Sequence, residues 1–329
     1  MPRFDRAFDW TRRNVDDGPL PTAVLGIATS AGVAALEAFG VERGRAASVD
    51  DHYPLFSVTK PIIGLAALRL IEAGRLTAET PLNAAIPEFG AGRDDIVRLR
   101  HLVSHTSGII EPPMDTAAGL RPSLLVPGRD FAAGTMSRYS TIAFEGVAAL
   151  IEHAGGEPWE HAVAAVGERV DATGFTLDAE ASPHEVVDAA EQGLDYARFA
   201  SLRQPGAGLL GRAEDLLAIG TALLRNDGSL VSPLTVEAML RPLTAGLPKL
   251  EPYVESRGQD WGFTWNLRHS APGLLARDTF SHGGWAGAEF GITPSRDVCF
   301  VLLTNIGGGM GRFGVDVDEL HNAVAAAER

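Results

Sequence analysis

Apolar residues near the N-terminus follow two different periods along the chain. Residues 1–19 are polar and amphipathic, and this pattern predicts a helix with its lead-in. Residues 21–40 contain two short apolar runs around a polar, glycine-containing stretch at 29–32, which predicts a hairpin of two strands. Residues 62–73 are apolar on nearly every side, so the sequence predicts a buried helix that is closed by Gly74.

Amphipathic helical patterns dominate the middle of the chain, from about residue 80 to residue 245. The stretch 141–156 predicts a helix that ends at glycine. The stretch 212–228 predicts another, with acidic residues in its first turn, where the helix dipole favours anions. A third predicted helix, within 232–242, begins at a serine cap and stops at a proline.

After residue 258 the pattern changes to short strands separated by turn sequences. Residues 261–268, WGFTWNLR, alternate strictly and predict one half-buried strand. Its apolar face would carry Trp261, Phe263, Trp265 and Leu267. Further strands are predicted within 274–280, 287–293 and 298–304, with a turn at 281–286, as in an antiparallel sheet. A helix within 315–328 is predicted to end the chain.

Strand patterns at both ends of the chain, with helical patterns between them, indicate an interrupted architecture. We expect a mixed α/β (α+β) protein in which the first hairpin joins the C-terminal strands in one antiparallel sheet, flanked by N- and C-terminal helices. The sheet domain would comprise residues 1–79 and 246–329, and residues 80–245 would form an inserted, mostly helical domain. A cleft between two such units is a natural ligand site, so we expect the functional residues there.

Composition limits the partners of the protein. The 329 residues are 45% apolar and 21% charged, as in an ordinary globular protein, and this length allows a large buried core. The net charge of −14 argues against nucleic acid and anionic membranes as partners, because both bind basic surfaces. No apolar stretch approaches the ~20 residues of a membrane span.

Cysteine content and the N-terminal sequence indicate which structural sites and which cellular location to expect. Cys299 is the single cysteine, so the sequence offers neither an internal disulfide nor a cysteine-based zinc site, and its apolar context predicts a small buried residue. The apolar stretch 20–36 is preceded by aspartates, which is atypical of a secretory signal. We therefore expect a cytoplasmic protein, although a chain from which a signal had been removed would look the same.

The stretch FSVTKP, residues 56–61, places a serine and a lysine three residues apart at the start of the buried helix. In a helical turn such residues share a face, so Ser57 and Lys60 would lie within hydrogen-bonding reach. A serine hydroxyl becomes a good nucleophile when a neighbour takes its proton, and a lysine can do so when burial lowers its pKa. Pro61 disfavours helical torsions at Lys60, so an irregular helix start is expected. On this stretch alone, a helix-capping serine beside a solvated lysine is the simpler interpretation.

Three further stretches change that balance. LVSHTSGI at residues 102–109, RYST at 138–141 and SHGGWAG at 281–287 follow FSVTKP in this order. Together the four resemble the motifs of the serine β-lactamase and D,D-peptidase superfamily. The similarity is to its class C-like branch, which also contains esterases, D-aminopeptidases and related amidases. The resemblance extends over nearly the whole chain and implies a β-lactamase/transpeptidase-like fold.

The resemblance also implies a role for each motif residue. Ser57 would be the acylated nucleophile, Lys60 its proton-handling partner, and Tyr139 the phenol that shuttles a proton between serine, leaving group and water. The backbone N–H groups of Ser57 and Trp285 would form the oxyanion hole, where losing one donor costs about 2.7–4 kcal/mol in other enzymes. The substrate-binding residues would be Thr141, His282, Gly283 and Gly284.

Two residues depart from the family pattern. Thr141 stands where the Tyr-x-Asn motif of the family has asparagine, so one hydroxyl replaces an amide that both donates and accepts. His282 begins His282-Gly283-Gly284, which matches the third motif of the family, at a position where β-lactamases usually have lysine. A histidine is mostly neutral near pH 7, so it binds a substrate carboxylate less strongly. Both departures argue against a dedicated β-lactamase or cell-wall peptidase.

We therefore predict a serine hydrolase that acts through an acyl-enzyme on a small ester or amide, of the esterase or D-amino-acid peptidase or amidase type. A β-lactamase or D,D-carboxypeptidase is one alternative, and a catalytically silent relative that binds a ligand or partner in the cleft is another. No cofactor or metal is expected. His101 and His105 have the spacing of a metal-binding pair, but no Glu-x-x-His pattern accompanies them. The oligomeric state is not readable from the sequence.

Overall fold

The computed structural model describes residues 3–252 and 258–327. The predicted sheet domain also includes residues 1–2, 253–257 and 328–329, which lie outside the described residues. The strands in chain order are β1 Thr22–Thr29, β2 Gly32–Glu42, β3 Arg45–Ala46, β4 Tyr53–Pro54, β5 Leu210–Gly211, β6 Asp260–Trp261, β7 Asn266–Leu267, β8 Phe280–Gly283, β9 Glu289–Thr293 and β10 Val298–Thr304. The α-helices are α1 Asp5–Asp16, α2 Thr59–Glu72, α3 Leu99–Val103, α4 Leu120–Leu124, α5 Ala143–Gly155, α6 Trp159–Glu168, α7 Tyr196–Ser201, α8 Ala213–Arg225, α9 Pro233–Met239 and α10 Val317–Ala325.

One antiparallel sheet unites the two ends of the chain. Its strand order is β3-β2-β1-β10-β9-β8-β7-β6. The N-terminal hairpin therefore lies beside the C-terminal β10, where Ala23 pairs with Thr304 and Ala28 pairs with Cys299. The predicted fold class, an antiparallel sheet with flanking helices, is confirmed. Strands β4 and β5 pair separately, and β4 leads the chain into the FSVTKP stretch.

Both faces of the sheet are covered at β1 and β10, which explains why these two strands are buried along nearly their whole length. Val24 and Ala28 of β1 belong to the core that contains α8, whereas Leu25 and Ile27 belong to the core that contains α1 and α10. The side chains alternate between the two cores with the period of two that a strand imposes. Cys299 is fully buried on the α8 side of β10, as the sequence predicts.

The longer helices lie where apolar periodicity predicts them. The first ten residues of α2 are buried, and Gly74 follows its last turn. Ser232 caps α9, since its side chain accepts a hydrogen bond from the N–H of Thr235. Helix α8 falls within the predicted inserted domain but packs against β1 and β10, and the division into two domains stays a prediction. In the described part of the chain, no helix has the length and apolar character needed to cross a membrane.

The stretch 261–268 differs from the single strand that its alternation predicts. It contains the last residue of β6, Trp261, and the whole of β7, and these two short strands pair through Trp261 and Asn266. In the turn between them, Thr264 has a φ of 70°. All eight residues are buried, so the alternating aromatic residues fill a tight turn and do not mark one face of a strand. Similarly, β8 begins only at Phe280, and residues 281–283, predicted as a turn, belong to it.

The turn at Thr264 packs directly against α2. A Cβ at Gly64 of α2 would collide with the Thr264 side chain. Thr264 is fully buried, and its N–H donates to the carbonyl oxygen of Val103 at 3.0 Å, so it has little room to move. The absence of a side chain at position 64 is therefore a condition for the close approach of the sheet to this helix.

We expect Gly64→Ala to destabilise the protein by about 1–3 kcal/mol, because overpacking outweighs the ~1 kcal/mol that alanine gains over glycine in a helix. Gly155→Ala at the end of α5 is the matched control. Among the described atoms its Cβ position is surrounded by open space, so that variant should be neutral or stabilised. Urea unfolding measures both free energies, and equal changes in the two variants would contradict the close packing.

Candidate active site

The chain enters α2 through a strained turn. A single 3-10 turn, Phe56–Val58, precedes the helix, which confirms the expected irregular start. Phe56 has a φ of 45°, a left-handed conformation that costs about 1–3 kcal/mol in a residue of this type. Its buried ring stacks on Phe199 with 4.8 Å between centroids and lies 5.1 Å from the ring of Trp285. This packing holds the backbone in the conformation that presents Ser57 to a cavity.

Ser57 and Lys60 are in hydrogen-bonding contact. The Nζ atom of Lys60 lies 3.1 Å from the Oγ of Ser57, 2.8 Å from the carbonyl oxygen of Gly206 and 3.3 Å from the Oγ1 of Thr141. These three acceptors match the three protons of an ammonium group. Lys60 itself is fully buried, so the interpretation as a solvated lysine is wrong.

Burial determines the protonation of Lys60. It lowers the pKa of the ammonium to about 7, and the negative charge of Glu111 opposes this effect. Near that pH a substantial fraction of the side chain is a neutral amine. A neutral amine in contact with a hydroxyl can take its proton, which is the condition for a serine nucleophile.

Tyr139 lies in the same cavity, with its ring centroid 4.8 Å from the Nζ of Lys60. The ring of His105 stacks on it at 4.4 Å between centroids. His105 also accepts backbone hydrogen bonds on either side of Tyr139, from Arg138 to its carbonyl oxygen at 3.0 Å and from Ser140 to its Nδ1 at 3.1 Å. Burial holds the pKa of His105 well below its usual value, so the ring is neutral, as an accepting Nδ1 requires. His105 thus fixes the position of Tyr139.

His282 lines the cavity with a neutral ring. Its Nδ1 donates to the carbonyl oxygen of Gly283 at 2.8 Å. Burial lowers the pKa of His282 to about 3, and the nearby Lys60 adds to the effect, so the ring is neutral. With the proton on Nδ1, Nε2 is an acceptor, and it is buried without a hydrogen-bond partner among the residues described.

Gly284 allows the end of β8 to approach the segment that leads into Ser57. A Cβ at this position would lie 2.5 Å from the carbonyl oxygen of Leu55. The N–H of Gly284 donates to the carbonyl oxygen of Ala288 at 2.7 Å and so fixes the turn that follows. Trp285 comes next, and both it and Ser57 line the cavity. A shared cavity is necessary for the oxyanion hole that the sequence predicts from their N–H groups.

The cavity has a volume of about 320 Å³, within the range of small-molecule sites. Lys60 and Thr141 do not line the cavity, but Lys60 contacts Ser57 of its wall and Thr141 contacts Lys60. The structure thus brings the predicted serine, lysine, tyrosine and third motif together. The cavity is lined by Ser57, Tyr139, Pro252, Gln259, Trp261, Asn266, His282, Gly283, Gly284, Trp285 and Glu289.

Glu111 belongs to the site although sequence reasoning did not single it out. The residue is exposed as a whole, but its carboxylate turns inward. It accepts hydrogen bonds from the Oγ of Ser140 at 2.7 Å and from the N–H of Thr141 at 2.9 Å. The available signal was an acidic residue two positions after the LVSHTSGI stretch.

Comparison with known proteins identifies the family. The family model described as Beta-lactamase matches residues 8–325, nearly the whole chain. The chain belongs to the β-lactamase family. Esterase EstB of Burkholderia gladioli, a relative, is 29% identical over 321 residues, which cover 80% of this chain and 80% of EstB.

Solved structures show the same β-lactamase fold. A penicillin-binding protein homologue from Caulobacter crescentus has a TM-score of 0.80 at 21% identity, covering 99% of this chain and 97% of that one. EstCE1, described as a hydrolase with promiscuous acyltransferase activity, has a TM-score of 0.78 at 22% identity, covering 98% of each chain. The predicted family resemblance is confirmed, and so is the predicted class, a serine hydrolase of the β-lactamase fold. The roles of the individual residues stay predictions.

The lowered pKa of Lys60 predicts how acylation of this β-lactamase-family protein depends on pH. The ammonium form dominates below about pH 7 and cannot take the proton of Ser57, so kcat/KM should rise with pH through about 7 and then level off. Turnover of p-nitrophenyl acetate at a series of pH values measures this profile. Lys249→Arg is the control, because Lys249 is the only other lysine and should not affect the profile. A flat profile across neutrality would exclude Lys60 as the base.

Proposed function

We propose that the protein hydrolyses a small ester or amide through an acyl-enzyme on Ser57. The observation that carries the proposal is the 3.1 Å contact between the Oγ of Ser57 and the Nζ of the buried Lys60, whose pKa is lowered. A hydroxyl next to a buried amine, at the wall of a small-molecule cavity, forms an activated nucleophile with its base. The similarity to Esterase EstB supports an ester as substrate.

Acylation begins when neutral Lys60 takes the proton of the Ser57 Oγ while this oxygen attacks the carbonyl carbon of the substrate. The carbonyl oxygen gains negative charge, which the N–H groups of Ser57 and Trp285 stabilise. Tyr139, next to Lys60, gives its proton to the leaving alcohol or amine and regains one from Lys60. In deacylation, a water molecule gives a proton to Tyr139 and Lys60 and attacks the acyl carbon. The proton then passes to the Oγ of Ser57 as the bond between this oxygen and the acyl carbon breaks.

Two features favour substrates that lack a carboxylate beside the scissile bond. The ring of His282 is neutral, so it offers no positive charge to a carboxylate, and its Nε2 is an acceptor, as a carboxylate oxygen is. A substrate group with an N–H or O–H fits this position better. Thr141 accepts from Lys60 through its single hydroxyl, which leaves less for a substrate than an amide would. An ester or small amide is therefore preferred over a β-lactam or a D,D-peptide.

The setting of the reaction is part of the same proposal. A small-molecule substrate, without nucleic acid or an anionic membrane as partner, is supported by the net charge of −14 and by the size of the cavity. Acidic proteins repel polyanions, so these partners are disfavoured by long-range electrostatics.

The function is tested with p-nitrophenyl acetate and, separately, with a fluorophosphonate probe. We expect ester turnover and covalent labelling in the wild type and neither in Ser57→Ala, because the Oγ of Ser57 is the acylated atom. Ser201→Ala is the matched control, since the hydroxyl of Ser201 only donates to the carbonyl oxygen of Arg198 on the surface. A folded wild type without labelling would show a catalytically silent relative. Nitrocefin turnover faster than ester turnover would show a β-lactamase.

Substitution of His282 tests the proposed substrate preference. His282→Lys replaces a neutral acceptor by an ammonium group, so the KM for an ester that carries a carboxylate should fall by about tenfold or more, which corresponds to ~1.4 kcal/mol. The KM for a neutral ester of the same size should not fall. His282→Met, which is neutral and apolar, serves as the control. Unchanged KM values for both esters in His282→Lys would place this side chain away from the substrate.

A further inference from the structure

Glu111 binds the chain directly after Tyr139. One carboxylate oxygen accepts the N–H of Thr141 at 2.9 Å and that of Ile142 at 3.2 Å, and the other accepts the hydroxyl of Ser140 at 2.7 Å. All three partners donate, and such hydrogen bonds favour the ionised form of the carboxylate. Residues 140–142 are thereby held by a side chain about 30 positions earlier in the chain.

The same contacts complete the start of α5. The first N–H groups of a helix have no partner within it. In the described structure the N-cap residue of α5, Ile142, offers no side-chain hydrogen bond of its own. Glu111 accepts the N–H groups just before the helix, and the Oγ of Ser140 accepts that of Ala143 at 3.2 Å. A negative charge at this end of α5 also matches the direction of its dipole.

Glu111 also acts on the charge of Lys60. His105, His282 and Tyr139 face Lys60 from three other segments, and burial lowers the pKa of both histidines, so their rings are neutral. Glu111 supplies a negative charge that favours the ammonium form of Lys60 against the effect of burial. Burial in turn raises the pKa of Glu111, and the hydrogen bond from Ser140 and the charge of Lys60 oppose that rise.

We propose that Glu111 is a positioning residue for the machinery of Ser57, Lys60 and Tyr139. Its carboxylate fixes residues 140–142, directly after Tyr139, and supplies the negative charge that stabilises the buried ammonium of Lys60. The kinetic part of this inference rests on the proposed function. The electrostatic part does not, because it concerns the protonation of Lys60 whether or not the protein turns over a substrate.

The composition of the chain permits a direct test, because Lys60 and Lys249 are its only lysines. Protein labelled with ¹³C at the lysine Cε atoms gives two side-chain NMR signals, and their titration reports the two pKa values separately. Lys249 forms an ion pair with Asp260 at 3.0 Å and serves as the internal reference. The variant Lys249→Arg assigns the signals.

Glu111→Gln removes the charge and keeps an acceptor oxygen. We expect the pKa of Lys60 to fall by about one unit or more and that of Lys249 to stay unchanged. Glu72→Gln is the matched control, because Glu72 also binds the start of a distant helix, accepting the N–H of Ser232 and the hydroxyl of Thr235 at 2.6 Å each. It should leave the pKa of Lys60 unchanged. An unchanged or raised pKa of Lys60 in Glu111→Gln would overturn the proposal.

Kinetics provide a second measurement. In Glu111→Gln the acid limb of kcat/KM should move to lower pH together with the pKa of Lys60, and the plateau should fall by about tenfold or more because Tyr139 loses its fixed position. Glu111→Asp keeps the charge on a shorter side chain, so its plateau should fall while its acid limb stays near that of the wild type. A lower plateau in Glu111→Gln with an unmoved limb would reduce Glu111 to a structural residue. If Glu111→Gln lowers the pKa of Lys60 but the fluorophosphonate probe does not label the wild type, the proposed function is refuted. The electrostatic role of Glu111 then stands.

Discussion

A lysine ammonium removed from water constrains the whole arrangement around it. Taking such a charge out of water costs several kcal/mol unless hydrogen-bond acceptors and an opposite charge accompany it. Lys60 is fully buried, and its three acceptors come from FSVTKP itself, from the RYST stretch and from the loop that carries Gly206. Segments far apart in the sequence must therefore meet at one atom. The same demand explains the inward carboxylate of Glu111, which lies on yet another segment.

The sheet and the helical segments contribute different residues to the surroundings of Lys60. The first ten residues of helix α2 are buried, and its N-terminal end lies where the sheet and the helical segments meet. The sheet contributes the end of β8, and the next residue, Gly284, lies against the backbone of Leu55. The helical segments contribute Tyr139 and Thr141, held by His105 and Glu111. The cavity lies where these parts meet, with the buried Lys60 next to Ser57 of its wall. One side of it comes from the sheet and the other from the helical segments.

Local patterns predicted the elements whose apolar residues are either periodic or continuous and whose ends carry their own signals. The first hairpin and helices α2, α5 and α8 are of this kind. Ser57, Lys60, Tyr139 and His282 were found through a family resemblance, since none of them has a distinctive spacing by itself. The stretch 261–268 misled because alternating aromatic residues can fill a tight turn as well as one face of a strand. Glu111 escaped notice because its partners are about 30 residues away and include backbone N–H groups, which leave no trace in a residue pattern.

The left-handed torsion of Phe56 has a consequence for the newly made chain. That torsion is maintained by rings at positions 199 and 285, and the second of these follows β8 near the C-terminus. A ribosome-bound fragment that ends before residue 285 lacks one of these two rings, although it already contains Ser57, Lys60 and Tyr139. Under the proposed function, the hydroxyl of Ser57 would become reactive only after the C-terminal strands are in place, so an unfinished chain would not be acylated.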